Sequence, residues 1–247
     1  MLLVERTRIA PEVLVELQRL TPGEVVIVVG YAAVSLEMER TVAAEGMTVR
    51  RVAGSDRYAT ASELSREQFP WGALSVHIAK GLGFADAMAA GVLAAVEDGP
   101  VLLVRPDGIP QATADELARL RPQRVVIVGG TQAIGEEVAR LLEGFAPQVS
   151  RLWGADRYTT SVAVAQSRFH QGTPAVFLAS AEQFAHGLGV VGPAGRLGGP
   201  VLLTTSSCVP QVVMAELDRL RPGRVVLLDA TALPATTVDG LLQAVCR

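Results

Sequence analysis

The sequence predicts an α/β protein made of tandem, doubly wound modules, each a parallel four-stranded sheet covered by helices. Three observations carry that expectation. The decapeptide RVAGSDRYAT from Arg51 recurs almost unchanged as RLWGADRYTT from Arg151, 100 residues on. Short apolar runs bounded by Gly and Pro alternate with amphipathic stretches of helical period. Those apolar runs are continuous rather than alternating, as expected of strands buried on both faces of a parallel sheet.

The internal period sets the frame for every element. Shifted by 100 residues, Gly54, Asp56, Arg57, Tyr58 and Thr60 fall on Gly154, Asp156, Arg157, Tyr158 and Thr160. GPVLL from Gly99 falls on GPVLL from Gly199, and Pro110, Leu117, Leu120 and Pro122 on Pro210, Leu217, Leu220 and Pro222. The N-terminus keeps the register: Leu2-Leu3 matches Leu102-Leu103, Pro22 matches Pro122, and VVIV from Val25 matches VVIV from Val125. The chain therefore divides into the second half of a module, 1–50, and two full modules, 51–150 and 151–247.

Within 51–150 the elements follow in order. VRRVAG from Val49 is a short β-rich run. SDRYATASELSREQF is a helix behind a Ser/Asp cap, with Ala61, Leu64 and Phe69 on one side. LSVHIA is a strand, FADAMAAGVLAAVED an Ala-rich helix and PVLLV a buried strand. PQATADELARL is a helix with Pro near its start. RVVIVGG is a strand that ends where glycines let the chain turn, and EEVARLLEGF is a helix that stops before Pro147. Right-handed crossovers complete a module of about 100 residues, a usual size for an independent core.

This arrangement resembles the cell wall binding repeat 2 family. The residues that carry the resemblance are GSDRYATA and GADRYTTS, FADA at Phe84–Ala87, GPVLLV and GPVLLT, the run from Leu117 to Gly130, and Ala133-Ile134. The resemblance covers the whole chain in register. It implies Rossmann-like or flavodoxin-like modules packed as a pseudo-threefold assembly, here incomplete, that attach secreted proteins non-covalently to the Gram-positive cell wall. The implied ligand is an anionic secondary wall polymer, teichoic-acid-like or a charged polysaccharide. Separate catalytic domains often accompany such modules, and none is found in this sequence. The expectation is a non-catalytic surface protein without cofactor or metal.

Composition bounds the partners. The net charge is −3 and the chain has a single lysine, Lys80, so no bulk field that would gather nucleic acid exists. Arginine usage suits fixed planar anion contacts, although a GC-rich coding bias would also produce it. The longest apolar stretch, Met88 to Val96, is far short of the roughly 20 residues of a membrane span. MLLVERTRIAP lacks the apolar segment of a secretory signal, so a wall location requires a signal upstream of residue 1, and otherwise the protein is cytoplasmic. The alternative reading is an α/β scaffold or small-ligand protein that keeps the repeat fold without wall binding.

Each candidate site residue has a bland reading beside the functional one. Arg57 and Arg157, next to Tyr58 and Tyr158, either pair with carboxylates that lock one module to the next or offer a bidentate fork to polymer phosphate or carboxylate. Val101, Leu102, Leu103, Val201, Leu202 and Leu203, with Leu2 and Leu3, match a triplet tied in the family to wall anchoring. As apolar residues of a central strand they are expected to hold the core and shape the module interface. The loops Gly81–Phe84, Ala181–Phe184, Arg105–Gly108, Thr204–Ser207, Gly129–Thr131 and Gly30–Ala32 lie at strand C-termini, where open α/β sheets bind ligands. Their amides, with the Thr131, Ser206 and Ser207 hydroxyls, are candidate polymer contacts or ordinary turns.

Other chemistry finds little support. Gly81-Leu82-Gly83 opens like a dinucleotide fingerprint, but Asp86 stands in place of the third glycine, and no Gly-Lys-Ser/Thr sequence exists. His77, His170 and His186 share no repeat position, and neither metal-ligand spacing nor a Gly-x-Ser-x-Gly elbow is present. Cys208 is placed at the C-terminal edge of the last sheet and Cys246 at the end of a last helix running to the opposite edge. A ten-residue helix spans about 15 Å and bridged Cα atoms lie within about 7 Å, so free thiols are expected. LLDATALP puts Asp229 and Ala230 where the preceding module has Gly129 and Gly130, which weakens the case for a third equivalent groove. The leading half-module exposes a strand edge unless further residues, a partner chain, self-association or docking against the other modules covers it.

Overall fold

The computed structural model describes residues 1–182, 184–228 and 245–246. The chain opens with helix α1 (Pro11–Leu20), strand β1 (Glu24–Ile27), helix α2 (Leu36–Ala44) and strand β2 (Thr48–Arg51). Then come α3 (Arg57–Gln68), β3 (Ser75–Lys80), α4 (Ala85–Glu97), β4 (Val101–Val104), α5 (Gln111–Leu120), β5 (Arg124–Val128), α6 (Glu136–Leu142) and β6 (Gln148–Leu152). The last stretch holds α7 (Arg157–Arg168), β7 (Val176–Ser180), α8 (Phe184–Leu197), β8 (Val201–Thr204), α9 (Gln211–Leu220) and β9 (Val225–Leu227). Among the described residues these strands form three sheets, β1-β2, β4-β3-β5-β6 and β8-β7-β9, with every ladder parallel. In the complete sheet the chain steps from β3 out to β4 and then back to β5 and β6, the reversal that defines a doubly wound sheet. No helix among the described residues is long and apolar enough to cross a membrane. Gln183, the Asp229–Ala230 turn and the expected last helix lie outside the described residues, as do the side chains of Phe184 and His186.

The sheet unit is offset from the sequence period. The run at Val49, expected at the head of the second module, pairs as β2 with β1, Glu24 opposite Thr48 through Ile27 opposite Arg51. β6 closes the β5 edge in the same way. Both flanks of β3 are taken by β4 and β5, so β2 has no place beside it.

β4 and β8 are edge strands, where a central position was expected. Their outer sides are met by neighbouring side chains, and β8 is buried at every position whereas β4 is buried at alternate ones. Thr113 Oγ1 donates to the Leu103 carbonyl at 2.8 Å, and the Leu203 N–H donates to Ser161 Oγ at 3.1 Å. Leu102, Val201, Leu202 and Leu203 are buried, and Val101 and Leu103 partly so, consistent with a packing role. Leu2 and Leu3 are exposed and lie outside any strand. A strand needs a hydrogen-bonded neighbour, and the neighbour that β4 finds in β3 has no counterpart in residues 1–50. The turn that follows nevertheless keeps the repeat: the N–H of Glu5 donates to Arg8 O at 3.2 Å, that of Arg105 to Gly108 O at 3.0 Å, and that of Thr205 to Cys208 O at 3.2 Å.

The inner face of α3 also differs from the apolar pattern. Tyr58, Ser62 and Ser65 are buried, whereas Ala61, Leu64 and Phe69 are partly exposed. Ser62 Oγ donates to Ala112 O at 3.0 Å and Ser65 Oγ to Glu116 Oε1 at 2.6 Å, so small hydroxyls satisfied by α5 fill the seam. Glu116 is fully buried and ion-paired with Arg119 at 2.7 Å; Glu216 and Arg219 repeat the pair at 2.6 Å in the next unit. His77 is packed inside, its Nε2 2.8 Å from Glu97 Oε2. The glycine that opens GPVLL is a close approach: a Cβ on Gly99 would lie 2.2 Å from Ser75 O, and one on Gly199 2.2 Å from Ala175 O.

The two cysteines are bridged, with Cα atoms 5.1 Å apart, which overturns the expectation of free thiols. That expectation sent the terminal segment to the far edge of the sheet. Instead Val245 forms a parallel bridge with Val209, and the Cys246 N–H donates to Val209 O at 3.0 Å, which sets the two sulfurs side by side.

Candidate functional site

The repeated Gly-x-Asp-Arg-Tyr-x-Thr stretch builds the start of α3 and of α7. A Cβ on Gly54 would sit 2.3 Å from Ala59 Cβ and 2.5 Å from its carbonyl carbon; on Gly154 it would sit 2.4 Å from Thr159 Cβ. Only glycine lets this loop fold back on the first helical turn. The N–H of Gly54 donates to Thr60 Oγ1 at 3.0 Å, and Gly154 repeats the bond to Thr160 at 3.0 Å. Asp56 and Asp156 cap the helices, each accepting from the amide three residues on at 2.8 Å.

Arg57 and Arg157 are each anchored through one nitrogen of the guanidinium. Arg57 Nη1 donates to Gly81 O at 2.7 Å and Arg157 Nη1 to Ala181 O at 2.9 Å, each reaching a carbonyl just beyond the end of a strand. The clamp therefore runs through the main chain rather than through a carboxylate. Both residues remain exposed. Tyr58 is buried against Gly81, where a Cβ would lie 2.4 Å from its ring, and the Arg105 guanidinium stands 5.5 Å above that ring. Tyr158 is partly buried against the core of the third unit. Both tyrosines thus pack against the fold beside the site, and neither lines these cavities.

A cavity of about 440 Å³ opens between the C-terminal ends of β3, β5 and β6 and the starts of α4 and α7. Its wall brings together Lys80, Asp86, Thr131, Gln132, Trp153, Asp156 and Arg157. Trp153 is more than half exposed. Burial raises the Asp86 carboxyl above the usual aspartate range, opposed by the charges of Arg157 and Lys80. Arg157 of one unit thus faces Asp86 of the unit before it. Gly129, at φ +120°, makes room: a Cβ there would lie 2.8 Å from Asp86 Oδ2. Arg151 Nη1 holds the same loop from beneath, donating to Gly129 O at 2.9 Å and Ile134 O at 3.0 Å.

The cavity gathers two of the predicted residues, Arg157 and Thr131. Arg57 lines a second cavity of about 540 Å³, shared with Lys80 and walled by Met1, Phe84, Met88, Leu103, Leu188 and Val191. Ser206 and Ser207 line neither. They sit in the turn before the disulfide, where Thr205 Oγ1 accepts the Ser207 and Cys208 amides at 3.2 and 2.9 Å. Lys80, Asp86 and Trp153 are the residues that sequence reasoning left out of the site. The lone lysine was a visible signal for the first, and Trp153 in the place of Ala53 was one for the last.

Residues 51–139 and 151–237 match the family model described as Cell wall binding domain 2 (CWB2). N-acetylmuramoyl-L-alanine amidase LytC of Bacillus subtilis (strain 168) is 26% identical over 200 residues, which is 81% of this chain and 40% of that protein. The amidase enhancer of the same organism is 28% identical over 193 residues, 78% of this chain and 26% of its own length. The chain thus spans well under half of these curated relatives. Among solved structures, Cwp6 from Clostridium difficile superposes with a TM-score of 0.85 at 22% identity, over 90% of this chain and 36% of that one. Cwp8 from Clostridium difficile gives 0.77 at 23%, over 90% and 38%. At those identities the likeness is one of fold.

Proposed function

Because this chain belongs to the cell wall binding domain 2 family, we propose that it is a non-catalytic wall-anchoring module that grips an anionic secondary wall polymer, teichoic-acid-like or a charged polysaccharide. The observation that carries this reading is the groove at the seam of the second and third units. There the Lys80 ammonium, the Arg157 guanidinium and the N-terminal end of α7 converge beside an exposed indole. Cations and a helix N-terminus suit phosphate or carboxylate, and an aromatic face suits a sugar ring. The disulfide adds weight to a location outside the cytoplasm, since such bonds persist in oxidising surroundings. It counts against an intracellular scaffold. The part shared with the amidase and the amidase enhancer is, on this reading, their wall-targeting part.

Co-sedimentation with purified Gram-positive walls tests the reading. The protein should pellet with intact walls and stay in solution once the anionic polymers are stripped. Retention on stripped walls refutes the ligand class. Lys80→Ala should weaken binding about fivefold, equivalent to about 1 kcal/mol for one partly screened contact, with an unchanged melting temperature.

Asp86 supplies a second test with a pH axis. Its carboxylate opposes an anion in the groove, so Asp86→Asn should tighten polymer binding severalfold at neutral pH. Binding by the native protein should strengthen as pH falls through the raised Asp86 value, and the Asn variant should show a flatter profile. The stability sign agrees. A raised carboxyl contributes stability when protonated, and that contribution is lost as pH rises past its unfolded value, so Asp86→Asn should be no less stable at neutral pH. Identical pH profiles for the two proteins would remove Asp86 from the site.

A further inference from the structure

The end of the molecule opposite the groove carries a second set of exposed groups. Helices α4 and α7 start together, since Ala85 and Asp86 share the groove with Arg157 and Thr160, and they finish together, since Val96 shares a shallow cleft of about 240 Å³ with Arg168 and Phe169. The second and third units therefore turn their strand starts the same way. Residues 69–75, 98–100 and 120–124 lie at one end with residues 168–175, 198–200 and 220–224.

Trp71 and Leu74 project from this end. They are 97% and 77% exposed, and Pro70 beside them is exposed as well. The turn that carries them is held in place. The amides of Gln123 and Arg124 both donate to Leu74 O at 3.0 Å, Arg119 Nη1 donates to Pro70 O at 3.1 Å, and a Cβ on Gly72 would lie 3.0 Å from Leu120 O. The repeat does not require an apolar tip, because His170, Gln171 and Pro174 fill the matching places. Packing between units does not bury one either: in the third unit, with the second beside it, positions 170, 171 and 174 stay exposed. Large apolar groups held clear of the surface mark a contact site.

Arginine surrounds the tip. RPQR from Arg121 and RPGR from Arg221 set two arginines each at this edge. Arg124 is taken up by Glu97 at 2.7 Å and Ser75 at 2.9 Å. In the third unit Leu197 and Ala175 replace both partners, and Arg224 is exposed. Arg121, Arg168, Arg196, Arg221 and Arg224 are all exposed and lack an ion pair among the described residues. Asp98, Glu143 and Asp218 oppose them, so this end is locally positive on a chain whose net charge is −3.

We propose that this end docks on an anionic lipid surface, with Pro70, Trp71 and Leu74 entering the headgroup boundary and the arginines meeting lipid phosphates. An indole on a fixed turn suits that boundary, where its ring leaves water and its N–H stays hydrated. A polymer strand or a partner's pocket reaches one such feature at a time. A lipid surface meets the tip and the arginines of both units together. The groove then faces away from the membrane. The site uses none of the groove residues, so it stands apart from the wall-binding reading.

Flotation of the full chain with vesicles tests the proposal. The protein should float with equal parts phosphatidylglycerol and phosphatidylcholine and stay behind with phosphatidylcholine alone. In a Trp153→Phe background Trp71 is the remaining tryptophan, and its emission should shift to the blue on binding. Trp71→Ala should weaken flotation at least about tenfold, and Arg121→Ala about fivefold. Both variants should keep the native melting temperature and pellet with walls as the native protein does. No flotation at low salt, or flotation of Trp71→Ala equal to that of the native protein, overturns the proposal. So does a Trp71→Ala protein that also loses wall binding, because the tip then belongs to the polymer.

Discussion

Replacing both sulfurs, as Cys208→Ser with Cys246→Ser, is expected to lower the melting temperature by about 10 °C, corresponding to about 4 kcal/mol. The bond joins residues 38 apart in sequence, so the unfolded chain loses the freedom of a long loop when the sulfurs are joined. In the folded state the bond ties Cys246 to the turn that starts α9, beside the Val209–Val245 bridge. Reduction of the native protein should reproduce the shift, and calorimetry with and without reductant measures it. Hydrogen exchange should quicken in α9 and leave β3 and β5 unaltered, because the bond lies wholly in the third unit. A fully reduced protein that melts at the native temperature would show that the bond does not hold the terminal segment.

Glu116→Ala should be nearly as severe, with a loss of about 3 kcal/mol. The Glu116 carboxylate accepts from Ser65 at 2.6 Å and from Arg119 at 2.7 and 2.9 Å, and Arg66 lies 3.4 Å away. Arg119 in turn donates to Phe69 O at 2.9 Å. Removing the acid leaves a buried hydroxyl without its acceptor, and a guanidinium without its counter-charge, in the seam between α3 and α5. Glu116→Gln should recover part of the loss. A double-mutant cycle with Ser65→Ala should give a coupling of about 1 kcal/mol. Glu216→Ala should cost less. In the third unit Ala165 replaces Ser65, and Gln166 replaces Arg66, reaching Glu216 Oε2 at 3.1 Å. Equal melting temperatures for Glu116→Ala and the native protein would show that the seam is held by its apolar contacts alone.

How far the sequence could be read depends on what kind of interaction decides each feature. The period of 100 residues and the continuous apolar runs located the strands, and GPVLL was legible as core because Leu102 and Leu202 have nowhere else to go. Its edge position was not legible, since an edge covered by Thr113 or Ser161 has the composition of a central strand. The buried face of α3 escaped an apolar count because Ser62 and Ser65 are satisfied by α5, 50 and 51 residues further on. Arg57 and Arg157 were legible as anchors, but their partners are main-chain carbonyls, which leave no mark in a sequence. The groove is assembled from strand ends and helix starts of two units, so Lys80, Asp86 and Trp153 become neighbours only once the sheet is wound. The disulfide hinged on the path of the terminal segment past Val209.

The displacement of β2 and β6 by one strand from the written repeat has a mechanical consequence. Five residues, 52–56, carry the chain from β2 directly into α3, and 153–156 do the same between β6 and α7. No slack tether separates one unit from the next. Tension along the backbone enters β1 at its start and leaves β2 at its end, which loads that parallel ladder in shear, with all its bonds resisting together. A string of beads would first straighten its links under such a pull; here the pull falls directly on a sheet.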